Sequence, residues 1–301
     1  MACSGGADSA ALVLALASRP IVVAHIVHDL REQPQAMADR DATADFARSL
    51  GLPFVHSQVQ VRNLPGNCEA TARAARYRAL NDLAQASGCP FVATAHQADD
   101  QLETILMRLA RGSGLRGLRG ILPTRSMNGS TLVRPMLGLS RAECENLCAA
   151  CGYVWRVDLT NMDPAHTRAA IRASVVPALK QIDSRVLAGA GRTAEQVRRL
   201  TNLIEPQIRS LMSTAQESGN APYAWDRAAL RDANPWIVGE LVRRAISTHS
   251  AGARLDRIGT AVTDRVVSAI QDTVGGVRSF QVGAVTIVID RERVIIKGNE
   301  P

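Results

Sequence analysis

The chain opens MACSGGADSAALVLALA (residues 1–17), and the fold turns on how this stretch is read. Two adjacent glycines, Gly5 and Gly6, give the backbone conformations that other residues avoid and let it approach a ligand closely. From Asp8 to Ala17 good helix formers run without a breaker, which predicts a helix. A glycine turn entering a helix N-terminus offers unpaired N–H groups and the positive end of the helix dipole, the makings of an anion site. Ser4 and Ser9 add hydroxyl donors. The plain alternative is a capped helix start with Asp8 or Ser9 as the cap. Such a phosphate loop needs a strand before it, yet Met1, Ala2 and Cys3 alone precede Ser4. Either the sequence is cut short at its start, or the first strand is very short or absent.

Working outward, IVVAHIV (residues 21–27) is a β-branched run that reads as a buried parallel strand. A helix follows over residues 34–50, ended by Gly51, then a strand over 53–61. Residues 69–87 form a second strongly helical segment ended by Gly88, 90–94 another strand, and 99–111 another helix. This alternation predicts an α/β fold with a parallel sheet and helices on both faces. Ligands bind such sheets at the carboxyl ends of the strands. Gly5 and Gly6, the segment from His28 to Arg31, and the segment from His96 to Asp100 are all expected at that edge. Residues 125–140 turn loop-like, and Ser140 with Glu143 fits a capping box for a helix over 141–150. A long helix over 183–212, interrupted or kinked at Pro206, carries the chain into a smaller, mainly helical second domain. That domain shows helices near 227–230, 235–248 and 254–271 and closes on a β-hairpin within 280–297. The expected domains are residues 1–182 and 183–301.

At 301 residues with 46% hydrophobic and 21% charged residues, the composition is that of a two-domain globular protein. No stretch approaches the ~20 apolar residues of a membrane span, and no secretory leader is visible. Six cysteines in a chain this long do not suggest a secreted disulfide scaffold, so the cytoplasm is the expected compartment. The net charge of +7 favours a polyanionic partner, although it spreads over both halves and Lys180 and Lys297 are the only lysines.

The segment TAHQADDQLETILMRLARGSGLRGL (residues 94–118) is the richest in chemistry. Asp100 and Glu103 stand three apart on a helix and share a face near its N-terminus. Asp99 and Asp100 are favoured there by the dipole alone, but that does not account for three acids together with His96. Paired carboxylates facing a phosphate loop suit magnesium binding or the grip on a cationic substrate's amine. GSGLRG (residues 112–117) matches G-x-G-x-x-G but follows a helix, so it reads as a loop and not a dinucleotide fingerprint. Arg111, Arg116 and Arg119 around it could still meet phosphates. Arg73 and Arg76 lie three apart on a helix, either as a solvated basic face or as phosphate contacts. Cys144, Cys148 and Cys151 line one helix face and read first as small buried hydrophobes, with a metal or iron–sulfur site as the sharper alternative. Walker, zincin and nucleophile-elbow motifs are absent from the sequence.

SGGADS (residues 4–9) resembles the SGGxDS loop of the N-type ATP pyrophosphatases, which grips the pyrophosphate end of ATP when an adenylate is made. AHIVHDLR (24–31), EATARAARYRAL (69–80), ATAHQADDQLETILMRLARGSGLRGL (93–118), RPMLGLSRAE (134–143) and DLTNMDPAHTRAAIRASVVPAL (158–179) resemble, in order, successive motifs of the tRNA(Ile)-lysidine synthetases. The remainder is similar to that family's tRNA-binding domain without a sharp motif, and the chain resembles the short form. The resemblance implies two steps. ATP with magnesium adenylates the wobble cytidine of an isoleucine tRNA with anticodon CAU, and the amine of free L-lysine then displaces AMP. Carried over by position, Ser4, Gly5, Gly6, Asp8, Ser9, His28, Arg111 and Gly112 would hold ATP, with Asp8 at the magnesium. Asp8, Asp100, Glu103 and Arg73 would serve catalysis. Asp100, Glu103 and His96 would receive lysine, and Arg73, Arg76, Arg116, Arg168 and Arg172 would meet tRNA. The family's R-N-x-I-R stretch has Ala169 in place of its Asn here. A homodimer is left open. Two rival readings remain, a tRNA cytidine thiolase of the same superfamily with an iron–sulfur cluster, and a non-catalytic tRNA-binding module.

Overall fold

The computed structural model describes residues 1–29, 33–60, 68–155, 167–218, 221–249, 260–273 and 276–298. Arg31, Val61, the first half of the 158–179 motif and the expected helix start at 254–259 lie outside the described residues. The chain divides into two compact units, Met1–Ala110 with Leu118–Glu195, and Arg111–Gly117 with Gln196–Pro301.

In the first unit the elements are α1 (Ala7–Leu16), β1 (Val23–His28), α2 (Gln33–Ser49), β2 (Phe54–Val59), α3 (Cys68–Ala86), β3 (Phe91–Ala93) and α4 (Ala98–Ala110). The short helix α5 (Leu115–Leu118) comes next in sequence, all but its last residue in the second unit, and the first unit resumes with β4 (Thr124–Ser126), β5 (Thr131–Val133) and α6 (Arg141–Ala150). Then come α7 (Thr167–Ala170), a π-helical turn (Ile171–Val175) and α8 (Val176–Ile182). Strand β1 pairs parallel with β2, and β3 pairs parallel with β5, which pairs antiparallel with β4.

Residues 1–3 join these two groups. Ala24 N donates to Met1 O (2.8 Å), Cys3 N to Ala24 O (2.9 Å) and Ala2 N to Ala93 O (2.9 Å). Ala2 and Ala24 form an isolated parallel bridge. The expected short first strand is thus present as one bridge, and it occupies the centre of the sheet. Apolar side chains cover both faces. Ala10, Leu12 and Val13 of α1 pack with Val23, Phe46, Cys144 and Cys148 on one side. Tyr77, Leu80 and Ala84 of α3 pack with Ala24, Val92 and Leu132 on the other. Burying both faces explains why β1 reads as a continuous apolar run and not as an alternating one. The capping box is present, with Ser140 accepting from Glu143 N and Glu143 accepting from Ser140 N at 2.7 Å.

The second unit holds β6 (Gln216–Ser218), β7 (Ala221–Asp226), α10 (Arg227–Asp232), α11 (Pro235–His249), α12 (Thr260–Gln271), β8 (Arg278–Val282), β9 (Val285–Ile289) and β10 (Arg293–Gly298). The intervening helix α9 (Val186–Ser213) spans the division between the units and continues through Pro206. The expected terminal hairpin is part of a larger five-stranded antiparallel sheet in the order β6-β7-β10-β9-β8. Its inner face and the helices share a core built on Trp225, Leu230, Leu241, Ile246, Ile270, Ile287, Ile289 and Ile296. No helix among the described residues is long and apolar enough to cross a membrane.

Candidate active site

The loop between residues 3 and 7 is held by Ser9. Its Oγ accepts from Ser4 N (3.1 Å) and donates to Gly6 O (2.9 Å), folding the turn back on the first turn of α1. Gly5 takes φ +84°, a left-handed conformation that an L side chain rarely adopts. Gly6 stands at the N-cap with extended backbone, and no side chain hydrogen-bonds the helix start. Neither Asp8 nor Ser9 caps α1, so no side chain takes up its first N–H groups. His25, buried at the next strand, places Nδ1 2.9 Å from Cys3 O and supports the loop from below. His28 ends β1.

Asp8 lies in the first turn of α1 with Oδ1 buried and without a hydrogen-bond partner. Burial pushes its carboxyl up to about 6, and the charge of Asp100 adds to that push against the pull of Arg141. The Gln97 side chain also pulls the Asp8 carboxyl down as a hydrogen-bond donor, and Arg141 Nε is buried without a partner. Orphaned polar atoms of both signs beside an uncapped helix start are unusual in a settled interior.

At the start of α4 the acids separate by role. Asp99, 6% exposed, accepts from Lys180 Nζ (2.5 Å) and from Arg141 N (2.9 Å), which ties α8 and α6 to α4. Those hydrogen bonds overcome its burial and hold the carboxyl below its ordinary range. Asp100 accepts from Gln97 N (3.1 Å) and from Arg168 Nη2 (2.6 Å). Glu103 is fully buried and accepts from Arg168 Nε (2.7 Å), Arg172 Nε (2.6 Å) and Arg172 Nη2 (3.0 Å). Burial alone would raise Glu103, but the two guanidinium groups outweigh it and hold the carboxyl low. The structure therefore gathers Asp100, Glu103, Arg168 and Arg172 into one ionic cluster. The sequence had spread these four over lysine and tRNA roles.

Beside this cluster stand Arg73 and His96, with Arg73 Nη2 3.4 Å from His96 Nε2 and Thr94 Oγ1 3.0 Å from His96 Nδ1. Burial, with the charges of Arg73, Arg134, Arg168 and Arg76, drives His96 down to about 3, so its imidazole is neutral at pH 7. Arg73 and Arg76 both lie over the ring of Tyr77, at 5.1 and 5.6 Å from its centroid. Arg111, Gly112 and Arg116 belong to the other compact unit, where Arg116 sits 3.8 Å from Glu205. Gly112 has φ +66° and begins a turn into α5, so the GSGLRG segment is less a free loop than its composition suggests.

Sequence reasoning missed Lys180, Arg141, Arg134 and Arg125. Lys180 carried a usable signal as one of only two lysines. Arg125 carried none, since a lone arginine in a loop-like stretch does not reveal what it will face. Cys3, Cys144 and Cys148 are buried, and burial pushes Cys144 up to about 12. They behave as small apolar fillers, and such thiols resist becoming the thiolates that metal ligation requires. Among the described residues no group of His, Cys, Asp or Glu is arranged to hold a metal by itself.

The uncapped helix start, the glycine turn and the carboxylates at the ends of parallel strands define a phosphate-handling α/β domain. A family model described as a PP-loop domain matches residues 1–179. A tRNA(Ile)-lysidine synthase of Salinispora tropica is 36% identical, covering 92% of this chain and 83% of its own length. One from Methylobacterium nodulans is 36% identical over 90% of this chain and 81% of its own. Among solved structures, a U34-tRNA thiolase from Methanococcus maripaludis with its [4Fe-4S] cluster has a TM-score of 0.53 at 15% identity. It covers 65% of this chain and 71% of that one and is alike in fold. The chain belongs to the tRNA(Ile)-lysidine synthase family of PP-loop proteins.

Proposed function

We propose that the protein uses ATP to join free L-lysine to the wobble cytidine of a CAU-anticodon isoleucine tRNA, forming lysidine in the cytoplasm. The observation that carries this reading is the loop at residues 4–9, with Ser9 closing the turn and the N–H groups of α1 left open, inside a chain of this family. A cytosine carbonyl is a poor electrophile. Its oxygen attacks the α-phosphorus of ATP, the bond to pyrophosphate breaks, and the base then carries AMP as a good leaving group. Lysine's amine attacks the activated carbon, loses a proton, and AMP departs.

The residues divide this work. The loop N–H groups and the dipole of α1 meet the growing negative charge on pyrophosphate. Asp8 fits a magnesium ion, because its buried, unpartnered oxygen and the nearby negative charge of Asp100 suit a hard cation held by one or two carboxylates and substrate phosphates. Magnesium, when bound, would neutralise charge on the phosphates. Asp100 and Glu103 receive the ammonium groups of lysine, exchanging guanidinium N–H donors for ammonium ones. His96, neutral at pH 7, accepts a hydrogen bond and adds no charge. The unit made of Arg111–Gly117 and Gln196–Pro301 is proposed to bind tRNA, in keeping with the arginine-rich composition of the chain.

The test mixes the purified chain with ATP, magnesium, labelled lysine and a CAU isoleucine tRNA transcript, followed by mild alkali. Alkali strips aminoacyl esters but leaves lysine bonded to a base. ATP-dependent, alkali-stable label is the expected result. Its absence while tRNA still binds sinks the ligase reading. The rival thiolase would instead give protein with visible absorbance when purified without oxygen.

A further inference from the structure

Tyr77 stands at the centre of a concentration of positive charge that no described carboxylate neutralises. Its ring, on α3, is buried at 5% exposure. The guanidinium carbons of Arg125, Arg73 and Arg76 lie 4.8, 5.1 and 5.6 Å from its centroid. Arg73 and Arg76 come from the same helix, and Arg73 Nη2 donates to Tyr77 Oη at 3.1 Å. Arg125 arrives from β4, the outer strand of the order β3-β5-β4. Arg134 follows β5, is 7% exposed, and donates from Nη1 to Leu122 O at 2.5 Å. Its Nε is buried without a partner. Among the described residues none of these four arginines pairs with a carboxylate, whereas Arg168 and Arg172 are fully paired with acids nearby. The charges of Arg73, Arg134 and Arg76 pull the Tyr77 hydroxyl below its ordinary range even though burial pushes the other way.

Cation–π attraction to one ring offsets part of the repulsion among these groups, but the ring carries no net charge. What the cluster lacks is an anion with several acceptor oxygens, and guanidinium forks suit phosphate best. The ATP loop itself is the turn at the start of α1. Arg73, Arg76 and Arg125 are exposed, so their charge faces an open surface and not a closed pocket. Three guanidinium carbons crowd the tyrosine ring, which is itself buried and offers a base little surface to stack on. An exposed run of guanidinium groups with no stacking platform suits the backbone of a strand. We infer that Arg125, together with Arg73, Arg76 and the buried Arg134 around Tyr77, forms a phosphodiester-binding platform for RNA. Arg125 is a contact that the sequence did not assign. The inference rests on the tRNA reading above for the identity of the strand.

Fluorescence anisotropy of labelled tRNA, titrated with the full chain across a series of salt concentrations, tests it. Arg125→Gln is compared with the parent and with Arg48→Gln, an exposed arginine that pairs with Asp45. Arg125→Gln is expected to weaken tRNA binding several-fold near physiological salt. It should also lower the slope of log K against log salt by about 0.7–0.9, the value of one phosphate contact. ATP affinity stays unchanged, and Arg48→Gln moves neither quantity. Arg76→Gln, on the helix and not the edge strand, should lower the slope by a similar amount. An unchanged slope overturns the inference, and so does a loss confined to ATP affinity, which assigns the anion to the nucleotide. A parent that binds tRNA in a salt-dependent way yet transfers no lysine sinks the ligase reading and leaves the platform standing. A parent that binds no tRNA sinks both.

Discussion

Glu103 lies fully buried in a two-pronged grip from Arg172, with Nε 2.6 Å from Oε1 and Nη2 3.0 Å from Oε2. Arg168 adds a third donor, so both carboxylate oxygens are satisfied. A buried charge that loses its partners is costly, so the pairing ties α4 to α7 and the π-helical turn. Glu103→Gln is expected to cost about 2–3 kcal/mol, below the ~3–5 kcal/mol of a wholly buried pair because both arginines stay partly in solvent. The carboxyl is held below its ordinary value, so its contribution is complete above about pH 4.5 and disappears as pH falls through the lower folded value. Thermal melts of parent and variant should differ at pH 7 and converge in acid. A difference that persists at pH 3 contradicts the ionic origin.

Asp8 has the opposite sign. Its carboxyl titrates near 6 in the fold against 3.8 unfolded, so ionisation penalises the ligand-free fold above about pH 6 and costs nothing below about 3.8. Asp8→Asn should therefore stabilise the free protein by about 1–2 kcal/mol at pH 7.5, with no gain at pH 3.5. The same substitution should abolish turnover, because it removes the acceptor proposed for magnesium. A rise in melting temperature together with lost activity is the signature of a site that trades stability for function. If Asp8→Asn lowers the melting temperature at pH 7.5, the strained-carboxylate account fails.

Asp100 makes fewer structural bonds than Glu103, which makes it the cleaner probe of the lysine step. It holds Gln97 N and Arg168 Nη2, and Arg168 keeps Glu103 when Asp100 is removed. Asp100→Ala is expected to fold, to bind tRNA nearly as well as the parent, and to lose lysine transfer by at least about a hundredfold. Gel-shift and labelled-lysine assays on the same preparation separate the two effects. Transfer that survives the change removes Asp100 from the lysine role.

How much was legible follows from the range of the forces involved. Elements set by local pattern, such as the helix over 141–150 with its capping box, coincide with the structure. The edge of the sheet was legible too, because strand ends and glycine turns fix which residues meet there. The terminal hairpin was read too small. Its partner strand β7 (APYAWD) carries Pro222 and an acidic end, and pairs with β10 across some seventy residues of sequence. The arginine partners of Glu103, sixty-five and sixty-nine positions away, had no local signature at all. Charges three or four apart on a helix show that they share a face, but not what will face them.

Arg227 presents the same problem inside the second unit, and it is testable there. The residue is 5% exposed and donates from Nε to Ile270 O (3.0 Å), from Nη2 to Ala269 O (2.8 Å) and Asp272 O, and from Nη1 to Asp290 O (2.9 Å). One guanidinium thereby satisfies the last carbonyls of α12, which a helix leaves unpaired, and the carbonyl at the turn between β9 and β10. A buried cation that pairs with no carboxylate among the described residues is tolerable because several carbonyl dipoles share its charge. Arg227→Met keeps the volume and removes every donor, leaving those carbonyls buried and unpaired. The expected loss is about 3 kcal/mol. Amide hydrogen exchange should show α12 and β10 losing protection while α1 in the other unit keeps it. A loss under about 1 kcal/mol, or equal deprotection of both units, would mean that Arg227 is not what closes this end of the fold.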